Sequence, residues 1–254
     1  MRASVHEEYR ADADHWWFRA RRAIFARLLD HLGIAADGAP RRILDLGPGS
    51  GVNLPALAGR GEVVVLDLEA TSLRACRAAG ALALCGDATL PPLADASFDL
   101  ICALDVLEHL DDDGKALTAC RRLLKPGGRL LLSVPALRVL WGRQDVLSQH
   151  RRRYGKRELA DKLLAAGFAV ERASYFNALL FLPVLAVRLL MRPFLSRTVA
   201  SGKSDLSMKA PLGLDRVLYA LFAVESRWLP RHDLPIGVSL LAIASPAPAC
   251  PAPS

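Results

Sequence analysis

The chain has 254 residues, 52% of them hydrophobic with four Trp, and 33 basic against 26 acidic side chains give a formal charge of +7. That length suits one large domain or one domain with a sizeable insertion, and the apolar content excludes wholesale disorder. The positive balance, with arginines gathered at Arg19, Arg21 and Arg22, at Arg151 to Arg153, and at Arg188, Arg192 and Arg197, admits nucleic acid, an anionic membrane surface or an acidic substrate as partner.

The first residues, "MRASVHEEYRADADHWWFRARR", are charged throughout and lack the apolar core of a signal peptide, so a cytoplasmic location is expected. Apolar positions at helical spacing (Trp17, Ile24, Leu28) predict a helix within residues 5–32 that stops before Gly33. After the turn-rich "GIAADGAP", strands and helices alternate: "RRILDL", a helix over 51–58, "EVVVLDL", a helix over 70–79, "ALALC", "FDLICAL", a helix over 112–124 and "GRLLLSVP". Such alternation implies an α/β protein with a mostly parallel sheet covered on both faces.

A helix over 156–166 and the strand "FAVERASYF" follow. Residues 178–230 then carry two apolar helical stretches, 178–191 and 214–228, and no convincing strand. "IGVSLLAIA" is a last strand, and the Pro/Ala-rich residues 245–254 read as a disordered tail. The longest apolar run, "ALLFLPVLAV" from Ala178, is short of the ~20 residues a membrane-spanning helix needs. Five cysteines have no metal-ligand spacing, and the first four (Cys76, Cys85, Cys102, Cys120) sit among apolar neighbours, which predicts buried free thiols and no metal.

Chemistry concentrates at the strand ends. Gly47, Gly49 and Gly51 recur at every second position after the first strand, which departs from the G-x-G-x-x-G that places a pyrophosphate on a helix N-terminus. Asp45 stands just before the turn, where a carboxylate repels a pyrophosphate and suits an ammonium group. Asp67 ends the second strand, where a carboxylate can accept from both ribose hydroxyls. Asp87 lies past the third strand, near the place of an adenine ring, and Asp105 at the mouth of the fourth.

Taken in order, "LDLGPGSG", Asp67, "GDATLPPLADASFDLICALDVLEHL" and "RRLLKPGGRLLLSVP" closely resemble the class I S-adenosylmethionine-dependent methyltransferases over about residues 40–135. The resemblance implies a doubly wound, Rossmann-like seven-stranded sheet, mostly parallel with an antiparallel last strand. An N-terminal helical cap (1–33) and a helical insertion (178–230) between the last two strands complete a single domain over 1–244. It implies S-adenosylmethionine as cofactor, with Asp45, Leu46, Gly47, Gly49 and Gly51 around the methionine moiety. Asp67 would meet the ribose, Leu68, Asp87 and Ala88 the adenine, and Asp105 would border the methionine end. His109, after Glu108, invites a catalytic reading, against which stands a packing role at the start of the next helix.

"HWWFRARR" and "LWGRQDVLSQHRRRY" further resemble one bacterial subgroup, in which the first caps the cofactor cleft and the second forms a loop beside the transferred methyl. Residues 136–155 leave the carboxyl end of strand five, the ligand side of an open parallel sheet. Trp17, Trp141, Asp145 and Arg153 are the substrate candidates. His150 is the candidate general base for a hydroxyl acceptor, with Tyr154 beside it, because imidazole titrates near neutrality. No "DPPY"-like tetrapeptide follows strand four, which argues against amino-group methylation of a nucleobase. The expected reaction is methyl transfer to a small or amphipathic, lipid-like acceptor, oxygen preferred. A non-catalytic cofactor-binding scaffold and an NAD-dependent oxidoreductase are the alternatives. The insertion can wall off a hydrophobic substrate, rest peripherally on an anionic membrane, or only complete the core.

Overall fold

The computed structural model describes residues 13–195, 199 and 213–248. Its strands are β1 (Arg42–Leu46), β2 (Glu62–Asp67), β3 (Leu82–Cys85), β4 (Phe98–Leu104), β5 (Leu124–Pro135), β6 (Phe168–Phe176) and β7 (Ser239–Pro246). They form one seven-stranded sheet in the order β3-β2-β1-β4-β5-β7-β6. β7 runs antiparallel to β5 and β6 on either side, and the pairs from β3 to β5 are all parallel.

Adjacent strand residues point to opposite faces, and each face has its own core. Leu44, Ile101 and Leu132 pack under α4 (Asp113–Leu123) and α6 (Lys156–Ala165), while Ile43, Cys102 and Leu131 pack under α1 (Trp16–His31) and α3 (Ala70–Ala78). α1 buries Arg21, Ile24, Phe25, Leu28 and Leu29, the stripe a helical period of 3.6 produces. α4 starts where Asp112 accepts the backbone N–H of Lys115 at 3.0 Å, an N-cap that satisfies an otherwise free donor.

Three expectations need adjusting. The helix after β1 shrinks to α2 (Leu54–Leu57), because the glycine turn occupies the residues before it. Cys76, Cys102 and Cys120 are buried, but Cys85 is exposed on β3, an edge strand whose Leu82 and Leu84 are exposed with it. β7 continues through Ser245 and Pro246, which pair with Ala169 and Phe168, so the start of the expected tail is sheet; Cys250 and the rest from 249 lie outside the described residues, as do residues 1–12 of the N-terminal segment.

The insertion leaves the carboxyl end of β6 and contributes α7 (Phe181–Met191) and α8 (Leu214–Ala223). α8 lies on α1: Phe222 meets Trp17 at 5.1 Å and Trp16 at 6.4 Å between ring centroids, and Arg19 stands 4.6 Å over the Tyr219 ring. Glu225, just after α8, ties the root of the insertion together. Its buried carboxylate accepts the backbone N–H groups of Asn177, Ala178 and Leu179 at 2.6, 2.7 and 3.2 Å.

Candidate active site

The strand order reverses between β1 and β4, which opens a crevice at their carboxyl ends. The turn after β1 lines it. Gly47 has φ +63°, and a Cβ there would stand 2.9 Å from Val106 Cγ2, so only glycine lets the backbone pass at this point. Asp45 is buried in the strand below, and its Oδ2 has no hydrogen-bond partner. Burial, then the charge of Asp67, pushes its carboxyl up to about 7. Ser50 Oγ and Asn53 Oδ1, in the same turn, are also buried without partners. Small polar residues in a turn have no sequence signature, so these two escape a reading by spacing.

Asp67 accepts the N–H of Gly49 at 3.3 Å and of Glu69 at 2.9 Å, tying the glycine turn to the end of β2. Leu68 beside it is 67% exposed, an apolar surface open to the crevice side of β2. Asp87 closes an Asx turn on the N–H and hydroxyl of Thr89 (2.8 and 2.9 Å), and Ala88 is half-buried against the core. Asp105 adopts φ +59° after β4 and is clamped: Arg21 of α1 pairs with its Oδ2 at 2.7 Å and Ser133 of β5 donates to Oδ1 at 3.0 Å. Arg21 also donates to Ser133 at 3.1 Å, so an N-terminal side chain that spacing did not single out closes this corner.

The other wall is the loop after β5, with the short helix α5 (Arg143–Leu147). Asp145, fully buried, holds Arg153 through two hydrogen bonds of 2.8 and 3.1 Å, accepts the N–H of Gly142 at 2.8 Å and meets His150 Nδ1 at 3.0 Å. Burial would raise the Asp145 carboxyl, but hydrogen bonding to His150 and the Arg153 charge outweigh it and hold it at about 2. Ionised Asp145 can only accept, so His150 Nδ1 donates this bond and Nε2 is the ring nitrogen outside it. Nε2 lies 4.0 Å from Glu108 Oε1. Glu108 is wholly buried, and burial followed by the Asp105 charge raises its carboxyl well above the ordinary range. The rings of His109 and His150 stand 4.7 Å apart, edge to face. Ligand atoms of Glu108, His109 and His150 all fall within 4.8 Å of one another, a grouping with the donors to hold a cation.

Residues 44–132 match the family described as methyltransferase domain. A Mycolicibacterium smegmatis protein described as a "probable S-adenosylmethionine-dependent methyltransferase" is 32% identical over 164 residues, 62% of this chain and 61% of its own length. Residues 44–132 thus carry a methyltransferase domain. A ubiquinone biosynthesis O-methyltransferase of Neisseria meningitidis is 32% identical over 136 residues, 48% of this chain and 57% of its own length. The solved structure of a geranyl diphosphate methyltransferase in complex with SAM shares the fold at TM-score 0.55, with 16% identity over 90% of this chain and 85% of that one. The chain spans about three fifths of the length of the curated relatives it matches.

The residues of this crevice fit S-adenosylmethionine. Asp45 offers an unpaired, buried carboxylate oxygen, a partner suited to an ammonium group, and Gly47 leaves the space a side chain would fill. The substrate and catalytic candidates divide differently. Arg153 is spent on Asp145 and the Ala136 carbonyl, and Asp145 on Arg153, Gly142 and His150, so both are engaged within the loop. Tyr154 is corrected from a catalytic to a core residue: it is fully buried, its hydroxyl donates to Asp113 at 2.8 Å, and burial together with that bond raises its pKa. Trp17, on α1, is half-buried against α7, Leu140 and Phe222, and Trp141 is half-buried after the Arg138–Leu140 turn.

Tyr154→Phe therefore has a structural signature. Chemical denaturation is expected to show a loss of about 1.5 kcal/mol, the range of a hydrogen bond to a charged group. Cofactor affinity should stay at the parental value; a drop in affinity at unchanged stability would return Tyr154 to the active site.

Proposed function

We propose that this protein transfers the methyl group of S-adenosylmethionine to a hydroxyl oxygen of a small or amphipathic acceptor. One observation carries the cofactor half: the buried Asp45 carboxylate with an unpaired oxygen beneath a glycine turn at the switch point of the sheet. A dinucleotide would bring phosphate charge to that carboxylate, whereas an amino-acid ammonium neutralises it. In this reading Asp67 accepts from the ribose hydroxyls, and Leu68, Asp87 and Ala88 border the adenine.

Bound S-adenosylmethionine supplies an electrophilic methyl with a neutral thioether as leaving group, so positioning provides most of the acceleration. A hydroxyl acceptor must also lose its proton. His150 Nε2 takes it, and Asp145, itself gripped by Arg153, fixes the ring and stabilises the imidazolium. The relatives named ubiquinone biosynthesis O-methyltransferase support oxygen as the acceptor atom. The small-molecule acceptor belongs to this same reading.

Calorimetry with S-adenosylhomocysteine and with NAD tests the proposal. Binding of the first and none of the second is expected; the reverse would return the crevice to a dinucleotide. The affinity should also depend on pH with a defined sign. Asp45 holds a proton below about 7 in the ligand-free protein, and the ammonium needs the ionised form. Affinity is therefore expected to rise about tenfold per pH unit up to that value and to level off above it. A flat profile across that window would remove Asp45 as the ammonium partner.

A further inference from the structure

α7 has the sequence FLPVLAVRLLM, and Phe181 is its one fully buried residue. Its inner side, Phe181, Val184 and Leu185, packs on Leu140 and Trp17. The outer side is left in solvent, with Leu182 71% and Leu190 73% exposed and Val187 exposed between them. α8 repeats the pattern: its Phe222 is buried on Trp17, and Leu214, Val217 and Leu221 form an exposed stripe at helical spacing. A helix apolar all round belongs in a core or in lipid. At eleven residues, about 16 Å, α7 is too short to span a bilayer, and no described helix is long and apolar enough to cross one.

The charges around this face choose its partner. Among the described residues between 177 and 229, Arg192, Arg216 and Arg227 are exposed cations and Arg188 is half-buried beside Gly142, whereas Asp215 is the one exposed carboxylate, Glu225 being buried. A second copy docked through the same patch would bring arginines against arginines, because a two-fold contact sets each patch on its own image. An anionic surface meets them with opposite charge. Exposed Trp228 adds an amphipathic ring of the kind that settles at headgroup level.

We propose that the insertion docks on an anionic lipid bilayer, with α7 lying in the plane of the interface and its leucines entering the acyl boundary. The packing of α7 on Leu140 then sets the loop that leads to His150 against the membrane surface. An amphipathic acceptor dissolved in the bilayer would reach the crevice from there; that step rests on the methyl-transfer proposal, and the docking does not.

The test is flotation of the full chain with phosphatidylcholine vesicles containing or lacking phosphatidylglycerol, for the parent, Leu182→Glu/Leu190→Glu and Arg192→Glu/Arg216→Glu. S-adenosylhomocysteine calorimetry and a thermal melt accompany each. The parent is expected to float with the phosphatidylglycerol vesicles alone and to be released as salt rises. Both variants should fall to the level of protein without vesicles while keeping parental cofactor binding. No flotation of the parent overturns the docking, and a dimer that Leu182→Glu/Leu190→Glu splits would then assign the face to a second copy. Equal flotation on both vesicle types, or none of it lost on charge reversal, overturns the anionic partner. A leucine variant that no longer melts cooperatively would show the face to be packed within the chain. Failure of cofactor binding in the parent would sink the methyl-transfer reading and leave the flotation result standing.

Discussion

Asp45→Asn is expected to weaken S-adenosylhomocysteine binding on the order of 100-fold, about 2.7 kcal/mol, and to leave the ligand-free protein at least as stable as the parent at about pH 8. The two effects have one cause. Asp45 is buried with an unpaired oxygen, and its carboxyl is raised from an ordinary 3.8 to about 7. A raised acid opposes folding once ionised: the unfolded chain releases the proton near its ordinary value, the folded chain only near 7. Stability is therefore lost between about pH 4 and 7 and is not recovered above that. Asparagine keeps the shape and removes that penalty, but it gives up the charge-assisted contact with an ammonium. Thermal melts on both sides of neutrality, with calorimetry on the same samples, check both halves. A variant that melts lower and binds as before would make Asp45 a structural residue.

His150→Ala should slow methyl transfer by about 10²–10⁴-fold, the usual share of a general base. Initial rates of S-adenosylhomocysteine formation across a panel of amphipathic hydroxyl compounds as acceptor probes would measure it. The imidazole is 12% exposed and held by Asp145 from one side, so its removal leaves a small void at the crevice wall. Free imidazole added to the variant should restore part of the rate, which a merely structural defect would not allow. Asp145→Asn should slow the reaction less and destabilise the protein, because it also strips Arg153 of its buried partner. An unchanged rate in His150→Ala, with cofactor affinity intact, would end its role as base.

The placement of the proposed cofactor residues was legible because they stand in short contiguous pieces at strand ends: Asp45 to Gly51 at the end of β1 and beyond it, Asp67 closing β2. Their common side of the sheet follows from chain direction in a parallel sheet, which the alternation of strands and helices announces. The loop half was legible as a place and less as a set of roles. Whether Arg153 greets a substrate or grips Asp145 depends on which side of the loop is packed, and no spacing reports that. Tyr154 illustrates the point, since its partner Asp113 lies 41 residues away on α4. The Arg21 clamp on Asp105 and Ser133 joins residues from three distant segments. Such pairs exist only once the layers have closed over one another. Cys85 went astray for a related reason: apolar neighbours in sequence predict burial, but an edge strand has solvent where a central strand has a neighbour.

The placement of β7 between β5 and β6 also bears on how the molecule is made. β6 leaves the ribosome before β7, yet β7 is its one strand partner among the described residues, so Phe168–Phe176 must wait, without that partner, through the synthesis of the whole insertion. The first helix waits too, because its Trp16 and Trp17 close on Phe222 from the last quarter of the chain. Both delays expose apolar surface that the finished fold hides, and contacts so far apart in sequence are slow to form. Nascent chains stalled before Ser239 should accordingly be open to protease at β6 and α1 while the β1–β4 half is already closed.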